Sequence, residues 1–310
     1  MTRLLSSLIS LIILITAVFF LARALPGGPA YAILGLRATP DAVGAVNMAL
    51  GLNNPVWRQY LIWWAHLLHG DLGTSFLLNR PVTVLLAEYA GNSALLYAAG
   101  LGAAACLAVA SGLVHGLCWK SWPGRAIGAL EIAFYALPGF FLGTVLIAIF
   151  SGWLGWLPSS GMSNLRLQHP GLADTARHLI LPVATIMLFG FAPLSRYFAE
   201  GVHAERESDY ARAAAARGLP PWRIVVRHVL RNALRPFVTM LGLSFPAVIS
   251  TTLVVETVFG YPGLGWLLWR SAVRQDYPMV LGVVLVAGLV TMAANLMADL
   301  TNRWLDPRLR

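Results

Sequence analysis

Apolar residues in this chain fall in six long runs, and polar ones gather between them. The runs are Leu4–Leu25, Ser93–Cys118, Ala126–Trp153, His178–Arg196, Phe237–Val255 and Tyr277–Leu300. Each reaches roughly the 20 residues that a helix needs to cross a bilayer. Helices are expected because a backbone amide in lipid must find its partner within its own segment. The pattern predicts an all-α polytopic membrane protein of six transmembrane helices: a first helix over residues 1–25, an outer segment with short helices over 26–92, and a core of five helices over 93–310. Pro138 and Gly139 interrupt the third run, Pro182 and Pro193 the fourth, and Pro246 the fifth. Breaks of this kind are tolerated where neighbouring helices or a water-filled path satisfy the freed carbonyls, and both readings are open. Small residues from Ala98 to Ala110 allow close helix approach, within the subunit or across a subunit interface.

The longest polar interruption of the core, residues 197–236, predicts a helix, a glycine turn and a second helix. Asp209 to Arg217 is Ala-rich and strongly helix-forming. Gly218 stops it by tolerating a left-handed backbone, and Pro220 and Pro221 suit a first helical turn. Eight basic residues lie between Arg196 and Arg235, so this stretch is too charged to span and reads as a docking element. In the outer segment, Thr39 precedes a short helix from Pro40 to Leu50. A second, Trp57 to Leu68, carries Tyr60, Trp63 and Trp64, which suit an aromatic belt at the membrane surface or contact with a partner.

Composition strengthens the membrane reading. Of 310 residues, 58% are hydrophobic and 11% charged, against about 25% charged in soluble domains, and mean hydropathy is +0.69. The net charge of +9 is explained by the excess of Lys and Arg in cytoplasmic loops. With the N-terminus in the cytoplasm, six spans return the C-terminus there. Fourteen basic residues then lie inside and eight outside. The apolar N-terminal run continues into PGGPAYAIL without a small-x-small cleavage pattern, so it is read as an uncleaved span rather than a signal peptide.

Few groups suit chemistry. Glu131 lies inside the third run and is expected to snorkel toward the interface or to pair with a basic neighbour, a proton-relay role being the alternative. His115 reads as a satisfied bundle histidine, and Asp299 as the i,i+4 partner of Arg303. Glu256, ahead of the Tyr261-Pro262-Gly263 turn, is read either as part of an outer gate or receptor contact or as a cap on that turn. Cys106 and Cys118 read as apolar fillers. His66 and His69, one turn apart, have no third ligand nearby, so no metal site is expected. No Gly-x-x-x-x-Gly-Lys-Ser/Thr loop is present, nor a Gly-x-Ser-x-Gly or His-Glu-x-x-His motif. Neither ATP hydrolysis nor other catalysis is expected of the chain, and no cofactor.

The polar stretch resembles the cytoplasmic coupling loop of ABC-importer permeases, whose loose signature is Glu-Ala-Ala, three residues, then Gly. Ala213, Ala214 and Gly218 hold the pattern and Arg212 stands in place of the glutamate. With Arg227, His228, Arg231, Asn232, Ala233, Leu234 and Pro236, it is similar to the dipeptide, oligopeptide and nickel branch, the DppB/OppB type. ALPGGPA, LGLNNPVWRQY, HGDLGTSF, LPSSGM, HLILP, VVETVFGYPGLG, RQDYPMV and the terminal LDPRLR follow in that family's order. Gly28 stands where an aspartate is common. The resemblance implies the type I importer permease architecture in a bacterial inner membrane. It also implies a second permease subunit in a heterodimer, two ATPase subunits that bind the ATP, and an external substrate-binding protein. By the same resemblance Asp209, Tyr210, Arg212, Ala213, Ala214 and Gly218 form the contact with an ATPase, and Arg227, Arg231, Asn232 and Pro236 hold the element in place. Peptides are the implied cargo, nickel or metal chelates an alternative. An ion-coupled carrier acting alone would want buried acids paired across helices, and only Glu131 qualifies.

Overall fold

A computed structural model describes residues 2–25, 27–35, 38–164 and 171–305. The expected Asp299–Arg303 pair and the LDPRLR terminus lie outside what is described. The helices are α1 Thr2–Ala24, α2 Pro29–Leu34, α3 Pro40–Ala49, α4 Val56–Leu68, α5 Val82–Leu117, α6 Trp122–Ala136, α7 Gly139–Leu146, α8 Leu172–Arg206, α9 Asp209–Ala216, α10 Pro221–Ile224, α11 Leu230–Leu243, α12 Phe245–Val258, α13 Leu264–Val273 and α14 Tyr277–Leu305. π-helical turns extend α7 over Ile147–Trp153 and join α10 to α11 over Val225–Val229.

Among the described residues four helices are long and apolar enough to cross a membrane: α1, α5, α8 and α14. The third run becomes a fifth candidate only as a bent pair, α6 and the α7 segment meeting at 104°. The break falls at Leu137 and Pro138, where the chain turns extended before helix resumes. Proline disfavours helical backbone in the residue before it and lacks the N–H that would continue the ladder. The fifth run is divided between α11 and α12, with Pro246 in the first turn of α12. Pro182 and Pro193 lie inside α8 without dividing it.

The chain forms two compact units, Met1–Ser93 with Pro262–Met292, and Ala94–Tyr261 with Ala293–Arg310. In the first, Leu11, Ile15 and Phe19 of α1 pack with Leu281 of α14. Tyr60 and Trp63 of α4 stand 5.1 and 6.0 Å from the Phe19 ring. The aromatics expected to form a surface belt are thus partly turned inward onto α1, and Trp57 remains exposed. Arg23 donates to Gln59, whose amide holds the carbonyls of Leu52 and Asn54.

The second unit is built on α5 against α8. Gly100, Ala104, Ala108, Gly112 and Gly116 recur at every fourth position, on one face of α5. A Cβ on Gly112 would sit 2.7 Å from the Ser195 carbonyl oxygen, and one on Gly116 2.6 Å from that of Ala199. The small residues therefore serve packing within the subunit. Phe198 and Val202 of α8 join Val229, Ala233 and Phe237, again four apart, in one buried cluster.

Candidate functional site

The polar stretch folds much as its residues dictate. Helix α9 begins after Ser208, with Asp209 in its first turn, where a carboxylate opposes the positive end of the helix dipole. At its other end the Gly218 N–H donates to Ala215 O (2.9 Å) and the Leu219 N–H to Ala214 O (3.3 Å). These are the two bonds of a Schellman closure, which needs a left-handed residue, and Gly218 has φ of 78°. Ala211 and Ala214 face inward, while Arg212, Ala213 and Arg217 are exposed. Asp209 lies 3.7 Å from Arg212, and the Tyr210 hydroxyl donates to Glu205. Further on, Arg227, Arg231 and Arg235 are exposed four residues apart, opposite the buried Val229–Ala233–Phe237 face, with Asn232 half-buried and Pro236 exposed. Among the described residues none of these three arginines makes an ion pair.

The outer motif shows the same closure. Gly260 (φ 55°) donates to Thr257 O at 3.3 Å and Tyr261 N to Glu256 O at 2.8 Å. The Glu256 side chain is 0% exposed, as is Tyr261. Burial, with a smaller contribution from the Glu256 carboxylate, pushes the Tyr261 phenol up to about 12. In the first unit, the Pro262 carbonyl accepts from Asn92 and the Leu264 N–H, just past Gly263, donates to Ser93.

Two buried carboxylate junctions organise the rest. Asp276 accepts from Ser75 Oγ (2.5 Å), the Phe76 N–H (3.1 Å) and the Leu77 N–H (3.4 Å). The HGDLGTSF and RQDYPMV motifs, 200 residues apart, thus meet in one clamp. Sequence reasoning noticed both motifs and missed their meeting; an acid before an aromatic-proline pair was the available signal. Glu131 is 3% exposed. It accepts from Ser195 Oγ of α8 (2.7 Å) and lies 3.1 Å from Nδ1 of His115 on α5. Its basic partner is His115, which explains both buried residues at once. Nearer the solvent, His66 meets Asp71 at 3.1 Å, and no group of three metal-ligating side chains occurs among the described residues. Cys106 and Cys118 are free thiols.

The described residues form a helical bundle with several apolar spans and a glycine-closed helix between α8 and α10, the architecture of a polytopic membrane protein. The comparisons with known proteins make the class specific. Residues 106–310 match the family described as the inner membrane component of binding-protein-dependent transport systems, and residues 1–85 match the N-terminal part of the same component. Glutathione transport system permease protein GsiC of Pectobacterium atrosepticum is 35% identical over 308 residues, 99% of this chain and 97% of that one. A putative peptide permease protein of Brucella ovis is 32% identical over 311 residues, with the same coverage. A solved amino acid ABC transporter superposes with a TM-score of 0.51 at 14% identity, over 71% of this chain and 94% of that one; this likeness concerns the fold alone. The chain belongs to the binding-protein-dependent transport system inner membrane component family. It is a membrane-embedded permease subunit of an ABC importer and not an enzyme, and such an importer works with an ATPase and a substrate-binding protein.

Proposed function

We propose that this permease passes short peptides, a glutathione-sized tripeptide among them, inward across the bacterial inner membrane, with α9 as the element that receives force from an ATPase subunit. The observation that carries this reading is the exposed, glycine-closed α9 at the end of the 35-residue α8. At about 1.5 Å per residue α8 is roughly 52 Å long, well beyond the ~30 Å hydrocarbon core. Its last turns and α9 therefore stand clear of lipid. Asp209, Tyr210, Arg212 and Ala213 meet the ATPase; Ala214 and Gly218 set the shape of the element; Arg227 and Arg231 supply charge beside it, with Asn232 and Pro236 at its base. Both termini lie in the cytoplasm, residues 26–92 lie outside, and residues 93–310 form the core, paired with a second permease subunit as a heterodimer. Two ATPases attach below. Glu256 and Tyr261, with Pro262 and Gly263, stand at the outer mouth, where a binding protein delivers cargo. The peptide assignment is supported by the relatives' names, glutathione permease and peptide permease.

The test is uptake into liposomes carrying the complete importer, its binding protein outside and ATP inside, with the proton gradient collapsed. Tritiated glutathione and trialanine are the probes, and a nickel chelate the competitor. ATP-dependent accumulation of a peptide supports the reading. Accumulation of the chelate alone, or uptake that vanishes with the gradient, refutes it.

A further inference from the structure

We propose that the outer segment holds a peptide site of its own: a hollow along α4 that takes a free, zwitterionic peptide of about three residues, its carboxylate on Arg23 and its ammonium on Asp71. The inference rests on the peptide reading above for the kind of cargo. It goes further in placing a binding site in the first compact unit and in fixing the length and end groups of what enters it.

The hollow measures about 490 Å³, inside the ~300–1,000 Å³ range of small-molecule sites. Every residue that lines it belongs to the first compact unit. One wall is a face of α4, where Gln59, Ile62, Trp63 and His66 follow the i, i+3, i+4, i+7 spacing that gathers side chains into one stripe. The stripe is polar at both ends and apolar between. Gln59 and His66 are two turns apart, which at about 1.5 Å per residue is roughly 10 Å.

A charged group is fixed at each end. At one, Arg23 Nε donates to Gln59 Oε1 at 2.9 Å and Nη1 to the Phe19 carbonyl at 3.3 Å. The guanidinium lies 3.4 Å from the centre of the Phe19 ring and 5.1 Å from that of Tyr277. Among the described residues no carboxylate pairs with it, and its other N–H donors have no acceptor. Those donors suffice for the two-pronged grip that arginine gives a carboxylate. At the other end, His66 Nδ1 lies 3.1 Å from Asp71 Oδ2, and the Gly73 N–H donates to Oδ1 at 2.8 Å. The Gly73 N–H foremost, then His66, holds this carboxyl below the usual carboxylate range, so it is ionised at neutral pH. A carboxylate has about four acceptor positions, and an ammonium takes those left over.

An extended chain advances about 3.3–3.6 Å per residue, so three residues fill the roughly 10 Å between the ends. A dipeptide falls short of one end and a tetrapeptide overruns it. The middle of the peptide lies over Ile62 and Trp63, within apolar walls that Leu72 and Phe76 complete. Thr74 and Asn79 line the same space, and their side chains make no hydrogen bond among the described residues, which leaves them for the peptide's own amides. The walls are held before any ligand arrives. Gln59 Nε2 ties the 51–54 turn to α4 through the carbonyls of Leu52 and Asn54, and the Asp276 clamp fixes Ser75 and Phe76. Parts already in place lose little freedom on binding. The meeting of the HGDLGTSF and RQDYPMV motifs thus gains a purpose: it shapes a wall of this site.

The test is equilibrium binding of tritiated trialanine to the permease–ATPase complex in phosphatidylcholine nanodiscs, without binding protein or nucleotide. Trialanine should bind. Dialanine, tetraalanine, trialanine amide and N-acetyl-trialanine should each compete about tenfold less well, the loss expected of one charge-assisted pair. Arg23→Gln should weaken trialanine about tenfold and leave trialanine amide unchanged; Asp71→Asn should weaken trialanine alike and leave the N-acetyl peptide unchanged. A general structural defect does not produce that crosswise pattern. The competitor series on the unaltered complex judges the proposal even where a variant fails to assemble. No saturable binding, equal competition by the blocked peptides, or variants that weaken every peptide alike overturns it. Binding that is lost in phosphatidylglycerol nanodiscs puts a lipid phosphate on Arg23 and overturns it too. Uptake separates this site from the cargo reading. ATP-driven accumulation of trialanine without the crosswise pattern keeps the reading and removes the site. The pattern without accumulation of any peptide keeps the site and removes the reading.

Discussion

Asp276 and Glu131 are both carboxylates buried inside a membrane protein, yet they are held in opposite ways. Asp276 is gripped by a loop: two backbone N–H groups and a serine, all within residues 75–77, close around it. Glu131 is gripped by side chains alone, one from α5 and one from α8. Backbone donors have no rotamers to change, so the Asp276 clamp fixes a shape once and for all. Side-chain donors on separate helices can follow those helices. The difference teaches that burial of an acid does not by itself mark function; what holds it, backbone or side chain, sets what it can do.

The sharpest way to break the comparison is Asp276→Ala. It strips the acceptor from two backbone amides and Ser75, and should destabilise the protein by about 4 kcal/mol, given that bonds to a charged group are worth ~1.5–3 each. Thermal unfolding in detergent measures it, and Asp276→Asn should lose about half as much. Glu131→Leu should cost about 2 kcal/mol in the same assay, since it leaves a serine and an imidazole short of one acceptor. If the two substitutions lower stability alike, the contrast between them is lost.

Gly218→Val comes next. Nothing lies within 4 Å of a Cβ there, so the penalty is backbone strain alone, about 1–2 kcal/mol for an L-residue held left-handed. Membrane insertion should be unchanged while transport falls. The smallest effect concerns Asp71, an exposed acid of the loop that leads into the Asp276 clamp. The Gly73 N–H foremost, then His66, holds its carboxyl below the usual carboxylate range. A depressed carboxylate stabilises the fold above its unfolded value, about 3.9, and that contribution is lost as pH falls through the lower folded value. A loss of protection of the Gly73 amide, relative to the unstructured rate at each pH, as pH falls below about 3.9 would register it, and Asp71→Ala, which removes the acceptor, should leave that amide unprotected at every pH.

Much of this protein was settled by the order of its residues alone. Long runs of apolar residues with few charges become helices in lipid, because the backbone has no other partner there. Gly218 was placed to end a helix and Pro138 to interrupt one, since φ restrictions act locally. The helix-turn-helix of the polar stretch was legible for the same reason. Only the tertiary structure decided which faces met. It turned the small-residue stripe of α5 onto α8, brought Asp276 to Ser75 across 200 residues, and gave Glu131 to His115 rather than to the nearer Arg125. It also turned Tyr60 and Trp63 onto Phe19, and divided the fifth apolar run between α11 and α12. Hydropathy carries no direction around a helix that is apolar on every side. Partner choice there rests on volume and hydrogen bonds between distant segments, which exist only once the bundle has closed.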